Sequence, residues 1–399
     1  MRKLPYGRQN ITNDDIEAVI EVLNADFLTQ GPKILEFEKE FCNYVGSDYA
    51  VAVSNGTAAL HLCAMAMGIQ PGQKVITTPI TFSASANCVK YCGGEVEFCD
   101  IDPETYLMDH DQLIQMLESA PKGTYNGIIP VDFAGRSVNM ELFKEIADEY
   151  GLWIIEDACH APGGYFMDKQ NNLQKCGSGK FANLAIFSFH PVKHIACGEG
   201  GMITTNDPDL YHKLCALRTH GITKEESEYT NSPQLAFGID DQVDTKMDWP
   251  GWYMELQELG YNYRLTDFQA ALGISQLKRA DWGLNRRREI ASGYTEAFKY
   301  NDKILGSSGD VEGHAYHLFV IEVEDRSGLY SYLRENGIFA QVHYIPVHFM
   351  PYYKRLGWKE GDFPYAETYY KHCLSLPMFP TMSNEDLEFV ISKVEKFLN

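Results

Sequence analysis

Basic residues are scarce in this sequence, and long apolar runs are missing from it. Of its 399 residues, 34 are Lys or Arg and 55 are Asp or Glu, so the formal net charge is −21. A chain this acidic, without a basic cluster, is a poor candidate for binding the phosphate backbone of DNA or RNA. No apolar run reaches the roughly 18 residues that a membrane span needs, so we expect no membrane partner. Residues 1–15 contain no apolar stretch, so we also expect no secretory signal and a cytoplasmic location.

Close cysteine pairs are also missing. The chain has 10 cysteines, and none of them are spaced as C-x-x-C. Disulfide frameworks belong to short secreted chains, and a structural zinc site needs two close-spaced ligand pairs. We therefore expect reduced, mostly buried thiols and no metal site.

Short apolar or β-rich segments recur along the first half of the chain, bounded by Gly, Pro, Asn or Asp. They are 50–56, 74–79, 95–100, 127–135, 152–158, 182–189 and 201–207. Helix-length segments separate several of them. This alternation predicts βαβ units around a largely parallel, buried sheet, and therefore an α/β fold.

The pattern changes after this region. Residues 222–258 form a polar, Asp/Glu-rich insertion, of the kind that serves as a functional loop or an interface element. Thr266 and Gln269 then form a T-x-x-Q capping box, which predicts one long helix running toward Arg287. We predict a large domain over 1–250, a connecting segment with the long helix over 251–289, and a small α+β domain over 290–399.

Ligands of open parallel sheets bind beyond the carboxyl ends of the strands. The residues after the first predicted strand are of the kind that bind phosphate. Ser54-Asn55-Gly56-Thr57 follows this strand and opens a helix. The free amides and the dipole at a helix start attract phosphate. A plain turn with an N-cap fits the same four residues.

Asp157 ends another apolar strand, with His160 three residues later. A buried acid is costly unless it meets a cation, which makes Asp157 a candidate to pair with a positively charged group. An Asp that caps a helix is the alternative. Because side chains alternate along a strand, Glu156 is expected on the opposite face.

Lys193 lies in a loop after the strand that ends at Ser188, with Gly198 following soon after. This is the setting of a Schiff-base lysine, whose pKa must fall from about 10.4 for the amine to act as a nucleophile. His190 and His194 are four residues apart, as metal ligands can be. No third ligand accompanies them, so we expect no metal here.

These features together predict pyridoxal 5′-phosphate as cofactor. That group needs a lysine for its aldehyde and a carboxylate for its ring nitrogen. It also needs a helix start for its phosphate and a flat face for its ring.

From end to end, the sequence resembles the DegT/StrS family of sugar aminotransferases. The motifs that carry the resemblance are FLTQGPKILEFE, VAVSNGTAALHL, TTPITFSASAN, IIEDACHAPGG, FSFHPVKHIACGEGGMITTND, LRTHGI and GYNYRLTDFQAALGISQL. The resemblance implies the fold-type I architecture of pyridoxal-phosphate enzymes. This comprises a large α/β domain with a mostly parallel central sheet and a smaller α+β C-terminal domain. It also implies a homodimer with two shared active sites.

The resemblance assigns roles residue by residue. It implies that Lys193 holds the cofactor and moves a proton during amino transfer, and that Asp157 pairs with the ring nitrogen. His160 matches a position near the phenolic oxygen, and Phe82 matches the aromatic residue that stacks on the ring. The matched phosphate-binding positions are Thr57, Ala58, Ser188 and, supplied by the neighbouring subunit, Asn262. Gly56 is a further predicted cofactor contact. The predicted substrate contacts are Tyr6, His190 and Tyr344.

Within the family, several stretches resemble the enzymes of pseudaminic acid biosynthesis. These are LPYGRQNIT, VDFAGRSV, SFHPVKHI, WYMELQELGYNYRL and GIFAQVHYIPV. The resemblance implies transfer of an amino group from L-glutamate, which becomes 2-oxoglutarate. The acceptor would be C4 of UDP-2-acetamido-2,6-dideoxy-β-L-arabino-hex-4-ulose, a UDP-linked keto sugar.

Three alternatives stay open. The chain could aminate a different nucleotide-linked keto sugar or make the other C4 epimer. It could be a regulator that binds pyridoxal phosphate without turnover, or a lyase or desulfurase of the same fold. Relatives that act as dehydratases have histidine in place of the lysine, so Lys193 favours amino transfer. A desulfurase needs an activated cysteine, and no cysteine here has an evident activating neighbour.

Overall fold

A seven-stranded sheet lies at the centre of the computed structural model, which describes residues 3–239 and 247–399. The strands are β1 (Leu4–Pro5), β2 (Tyr49–Val53), β3 (Lys74–Thr77), β4 (Glu95–Phe98), β5 (Tyr125–Ile129), β6 (Trp153–Asp157), β7 (Tyr165–Met167), β8 (Leu173–Lys175), β9 (Leu184–Ser188), β10 (Gly201–Thr205), β11 (Ile222–Thr223), β12 (Glu255–Leu256), β13 (Ile304–Ser307), β14 (Phe319–Val323), β15 (Ile338–Phe339) and β16 (Cys373–Leu376). The helices are α1 (Asn13–Leu23), α2 (Pro32–Val45), α3 (Gly56–Ala66), α4 (Ala84–Tyr91), α5 (His110–Ser119), α6 (Met140–Tyr150), α7 (Pro208–Arg218), α8 (Pro233–Ala236), α9 (Asp267–Leu277), α10 (Ala280–Phe298), α11 (Arg326–Glu335), α12 (Pro351–Lys354), α13 (Pro364–His372) and α14 (Asn384–Leu398).

The central sheet has the order β2-β10-β9-β6-β5-β3-β4. Each of the seven predicted segments overlaps one of these strands, which confirms the predicted α/β fold. Strands β9, β6, β5, β3 and β4 pair in parallel, whereas β10 runs antiparallel to both β2 and β9. The carboxyl ends of all strands except β10 therefore meet at one edge of the sheet.

Both faces of this sheet are covered, which explains why its strands are almost continuously apolar. Val51 and Ile186 belong to one buried cluster, which continues into α3, α4 and α6. Ala52 and Phe187, one residue further along each strand, belong to a second cluster with Phe41 of α2 and with α9. The alternation of side chains along each strand thus sends them into two different cores.

A third core lies in the last part of the chain. The antiparallel sheet β13-β14-β16 packs there with α10, α11 and α14. The start of the chain joins this core, because β1 pairs in parallel with β15 and Leu4 is buried in the same cluster. The division into domains at 250 and 289 stays a prediction.

The single long helix predicted after Thr266 is wrong, because the structure has two helices there. The capping box does form, with the Gln269 side chain accepting from the Thr266 amide and hydroxyl. Helix α9 ends at Leu277, however, and α10 begins at Ala280. Arg279, at φ −120°, leaves the helical region, and its guanidinium pairs with the buried Asp15. The interruption contains neither Gly nor Pro, so the local sequence gave no sign of it.

The predicted insertion 222–258 is closed at its base by the antiparallel pair β11–β12. The carboxylate of Glu255 accepts the backbone N–H groups of Thr230 and Asn231 at 2.8 and 3.0 Å and the hydroxyl of Tyr253 at 2.9 Å. The two sides of the insertion are therefore tied together by one acidic side chain. Residues 240–246 of this insertion lie outside the described residues.

Candidate active site

A cavity of about 620 Å³ opens at the carboxyl edge of the central sheet. It brings together eleven of the twelve residues predicted from the sequence. They are Tyr6, Gly56, Thr57, Ala58, Phe82, Asp157, His160, Ser188, His190, Lys193 and Tyr344. These residues come from five strand ends or loops and from the last part of the chain, so the fold alone makes them neighbours.

The start of α3 forms one end of the cavity. Asn55 caps the helix, since its Oδ1 accepts the N–H of Ala58 at 2.8 Å. The amides of Gly56 and Thr57 have no acceptor within the helix because they belong to its first turn. The turn with an N-cap and the anion site are therefore compatible, and both apply to these residues.

Two glycines allow this close approach. A Cβ on Gly56 would lie 3.0 Å from the Cβ of Ser188, at the end of β9. A Cβ on Gly201 would lie 2.7 Å from the carbonyl carbon and oxygen of Asn55. Without side chains at these positions, the Ser188 hydroxyl and the start of α3 can face the same anion.

Asp157 lies at the end of β6 with its carboxylate held from two sides. Ser85 Oγ donates to Oδ2 at 2.6 Å, and the N–H of Cys159 donates to Oδ1 at 3.2 Å. The next regular element after Asp157 is β7, not a helix, so the helix-capping alternative is wrong. The carboxylate is fixed on the cavity wall, where it can pair with a cationic ring nitrogen.

Glu156 points away from the cavity, as the strand alternation predicted. Its Oε1 accepts the N–H of Gly177 at 3.0 Å, and its carboxyl lies in a buried group with Asp132 and Cys176. Burial raises the pKa of Asp132 to about 7 and raises the pKa of Glu156 well above its usual range. Two buried carboxyls with raised pKa values can share a proton, which explains how they coexist on this side of the sheet.

Lys193 lies in the loop between β9 and β10, where its N–H donates to the carbonyl of His190 at 2.9 Å. Burial lowers the pKa of its amine from 10.5 to about 8, an effect that the nearby Cys159 and Asp157 partly oppose. The neutral amine that attacks an aldehyde is therefore far more populated near neutral pH than in a lysine with its usual pKa.

His160 is buried and neutral. Burial, together with the positive charge of Lys193, lowers its pKa well below 6.5. Its Nδ1 accepts the N–H of Ala134, and its Nε2 lies 3.2 Å from the hydroxyl of Tyr344. Tyr344 reaches the cavity from the last part of the chain.

The predicted aromatic residue Phe82 and the two histidines of the Lys193 loop differ in how they face the cavity. Phe82 is 58 % exposed on the cavity wall, which leaves its ring free to contact a ligand. His190 is exposed at the cavity, whereas His194 turns away and its Nε2 contacts the Ala315 carbonyl at 2.7 Å. Within residues 3–239 and 247–399, these two histidines belong to no cluster of metal-binding type.

Asn262 is the one predicted residue that does not line this cavity. It is exposed and lies beside Thr219 in an isolated antiparallel bridge. The flanking Tyr261 and Tyr263 rings stack on each other at 5.0 Å, and Tyr263 does line the cavity. The placement agrees with the prediction that Asn262 serves another subunit, which stays a prediction.

Several lining residues were missed from the sequence. Ser85 lies within the motif TFSASAN, but nothing local shows that its hydroxyl reaches Asp157. Cys159 is in the cavity, whereas Cys197 is buried among apolar side chains of the second cluster. His317 and His343 come from stretches without any local pattern, and only the packing of the third core brings them here.

The fold and the chemistry of this cavity are those of the fold-type I class of pyridoxal-phosphate enzymes. The donor set fits that cofactor, since an amine of lowered pKa, a fixed carboxylate and free helix-start amides face one space. The profile of the DegT/DnrJ/EryC1/StrS aminotransferase family matches residues 9–395, and the chain belongs to this family. It is a pyridoxal-phosphate-dependent sugar aminotransferase.

Two curated proteins illustrate the relationship. The chain is 39 % identical over 401 residues to SpsC, a spore coat polysaccharide biosynthesis protein of Bacillus subtilis, covering 98 % of this chain and 96 % of SpsC. It is 35 % identical over 393 residues to a UDP-4-amino-4,6-dideoxy-N-acetyl-beta-L-altrosamine transaminase of Campylobacter jejuni, covering 97 % and 95 %.

One solved structure shows how far the fold agrees. PseC of Helicobacter pylori, an aminotransferase involved in the biosynthesis of pseudoaminic acid, superposes with a TM-score of 0.87 at 29 % identity. The match covers 100 % of this chain and 99 % of PseC. Across residues 3–239 and 247–399, the structure has no helix with the length and apolar content of a membrane span.

Proposed function

We propose that this enzyme transfers an amino group from L-glutamate to C4 of UDP-2-acetamido-2,6-dideoxy-β-L-arabino-hex-4-ulose, in pseudaminic acid biosynthesis. The observation that carries the proposal is Lys193, whose lowered pKa and position in the cavity with Asp157 suit amino transfer. The choice of sugar is supported by the likeness to the altrosamine transaminase and to PseC. The alternatives are another nucleotide-linked keto sugar and the other C4 epimer.

Each residue is assigned the task that its position allows. The start of α3 and Ser188 bind the phosphate, Phe82 supports the ring, and Asp157 keeps the ring nitrogen protonated. At an effective dielectric near 20 and roughly 3 Å, such a charge pair is worth on the order of 5 kcal/mol before desolvation is subtracted. The cofactor then supplies an electron sink for the carbon that gains or loses the amino group.

Lys193 does the proton transfer in this proposal. With the cofactor bound, its amine would move a proton from the amino-donor carbon to the cofactor carbon that holds the nitrogen, and in the second half-reaction from that carbon to C4 of the sugar. A pKa near 8 serves both steps, because a general base works best when its pKa lies near the working pH. Among the described residues, Lys193 is the one lysine or arginine that lines the cavity.

Two chains per active unit complete the proposal. The exposed Asn262 would contact the phosphate in the neighbouring subunit's cavity. The apolar side chains that a dimer could cover include Ile16 and Ile20 of α1 and Trp252 and Leu259 near the insertion, all about half exposed or more. An isologous C2 dimer is the usual arrangement for two copies of one chain.

The desulfurase and lyase alternatives have less support. Cys159 lines the cavity, but burial and the charge of Asp157 raise the pKa of its thiol well above the usual value. The reactive form of cysteine is the thiolate, so this thiol lacks the activation that sulfur transfer requires.

Turnover with defined sugars tests the proposal. The enzyme is incubated with L-glutamate and either the L-arabino keto sugar or its C5 epimer, and NMR gives the C4 configuration of the product. We expect amination of the L-arabino sugar to the altrosamine product. Faster amination of the C5 epimer, or the opposite C4 configuration, would replace the proposed sugar. Absence of amino transfer with every keto sugar would favour the regulator.

A further inference from the structure

A chain of three hydrogen-bonding groups leads from the backbone into the cavity. The N–H of Ala134 points at Nδ1 of His160, 3.2 Å away, and this contact is buried. A backbone amide can only donate, so Nδ1 must accept. In a neutral imidazole with an accepting Nδ1, the proton is carried by Nε2. The tautomer of His160 therefore follows from the geometry.

The same contact excludes the charged form of His160. A protonated imidazole carries hydrogen on both nitrogens, and its Nδ1–H would face the Ala134 N–H. Burial and the positive charge of Lys193 act in the same direction, since they lower the pKa of this ring well below 6.5. Geometry and electrostatics agree on a neutral ring with an Nε2–H group.

The backbone around Ala134 fixes the direction of its amide. Ala134 has φ 59°, a left-handed conformation that costs free energy for a residue with a Cβ. Gly135 follows at φ 100°, and a Cβ there would lie 2.7 Å from the N of Tyr316. The Ala134 carbonyl accepts the N–H of Leu318 at 3.1 Å, and the Gly135 carbonyl accepts the N–H of Ala315 at 2.7 Å. The loop 315–318 thus holds the turn in place.

Tyr344 accepts the last hydrogen bond in this series of three groups. Since Nε2 carries the hydrogen, His160 donates to the Tyr344 hydroxyl oxygen at 3.2 Å. Among the described residues, His160 is the hydrogen-bond partner found for this hydroxyl, whose own proton is left for an acceptor in the cavity. Burial raises the pKa of Tyr344, so the hydroxyl keeps that proton.

We propose that the Tyr344 hydroxyl donates a hydrogen bond to the phenolic oxygen of pyridoxal phosphate. The Ala134 amide, acting through His160, orients that hydroxyl. The inference rests on the proposed function, in which Phe82 supports the cofactor ring and Asp157 pairs with its nitrogen. The family resemblance puts the phenolic oxygen near His160. Tyr344 lies 6.2 Å from Phe82, ring centroid to ring centroid, on that side of the cavity. In this role Tyr344 contacts the cofactor, and His160 and Ala134 are positioning residues.

The charge on the phenolic oxygen provides a direct measurement. Loss of the proton from the nitrogen that joins Lys193 to the cofactor leaves negative charge on that oxygen. A donor to the oxygen stabilises this charge and lowers the pKa of the chromophore. Several titratable groups surround His160 and Tyr344, and the test leaves all of them unchanged. They are Tyr6, Asp157, Cys159, Lys193, His194, His317 and His343.

The test is a spectrophotometric pH titration of the holoenzyme without substrates. Tyr344→Phe should raise the pKa of the chromophore by about 1 to 2 pH units, since a hydrogen bond to a charged group is lost. Tyr300→Phe, at a tyrosine that is 86 % exposed, is the matched control and should leave it unchanged. An unchanged chromophore pKa in Tyr344→Phe, with or without a raised KM for the sugar, would overturn the proposal.

The orienting part of the chain is tested at His160. In His160→Gln the amide oxygen can accept from Ala134 while its NH2 group donates to Tyr344, so the pKa of the chromophore should stay within a few tenths of the wild-type value. His160→Leu removes both bonds and should raise it. An equal shift in both variants would contradict the orienting role. If wild type forms no chromophore with pyridoxal phosphate, the proposed cofactor site itself fails, which is a different outcome.

Discussion

The cavity has two walls that differ in charge and in origin. The sheet wall consists of 55–58, Asp157, Ser188 and Lys193, and it presents charged or strongly polar groups at strand ends. The C-terminal wall consists of His317, His343 and Tyr344, which are kept in their neutral forms. Burial and the nearby Lys193 lower the pKa of His343 to about 3 and that of His317 well below 6.5.

This difference indicates a division of labour. Fixed charges suit the phosphate and the ring nitrogen of a cofactor that is the same in every turnover. Neutral donors and acceptors suit the hydroxyl and carbonyl oxygens of a sugar, which they can bind without changing its charge. We therefore expect changes in the sheet wall to abolish chemistry and changes at His317 and His343 to alter substrate affinity, while Tyr344 is assigned to the cofactor.

The largest expected effect is at Lys193. Lys193→Ala should lose the borohydride-sensitive near-violet absorbance and all detectable transamination, because no other amine in the sheet wall replaces it. Absorbance spectra and product assays measure both properties. Lys180→Ala, at an exposed lysine, is the control and should behave as wild type. Normal turnover in Lys193→Ala would refute the assignment.

The lowered pKa of Lys193 predicts how the apoenzyme takes up pyridoxal phosphate. Only the neutral amine reacts, so the uptake rate should rise with pH up to about 8 and then level off. A lysine with its usual pKa would be roughly 300-fold less reactive near neutral pH, and its rate would keep rising toward pH 10. Stopped-flow absorbance gives the profile, and a rate that still climbs well above pH 9 would contradict the value.

Asp157 should matter next. Asp157→Asn keeps the shape and the Ser85 contact possible but removes the charge, so we expect turnover to fall by at least ~10²-fold while the protein stays folded. Circular dichroism checks that the protein stays folded, and steady-state rates measure the loss of turnover. A native rate would mean that the carboxylate only organises the turn through the Cys159 N–H.

These predictions concern residues that the sequence could reveal, and the reason is physical. Strand ends in a parallel sheet carry a regular pattern, so the sequence predicts Asp157, Lys193 and the helix start at Gly56. The C-terminal wall has no such pattern, since His317 and His343 reach the cavity through the packing of the third core. The interruption at Arg279 likewise has no local signal, and the partner that Arg279 meets there, Asp15, is distant in the sequence.

The shared-site model predicts a smaller effect, which appears when two variant chains are mixed. Chains with Lys193→Ala and chains with Asn262→Ala are combined under subunit exchange. In mixed dimers one site carries both changes and the other none, so an equal mixture should recover roughly a quarter of wild-type activity. Each variant alone gives the baseline. Mixed dimers without recovery, or an active monomer, would contradict the shared site.

The smallest expected effect is on the sugar side of the cavity. Tyr6 lies with its ring 5.0 Å from His343, so Tyr6→Phe tests a neutral contact beside the C-terminal wall. Loss of one neutral hydrogen bond should raise the KM for the keto sugar by about 2- to 10-fold, with kcat nearly unchanged. A fall in kcat at unchanged KM would show that the two walls do not divide the work as described.

The central claim is that Lys193 is the residue that holds the cofactor for amino transfer. Borohydride reduction of the holoenzyme, followed by peptide mapping with mass spectrometry, tests it most directly. We expect the reduced cofactor to be attached to Lys193. Attachment to a different lysine, or no covalent attachment at all, would contradict the account.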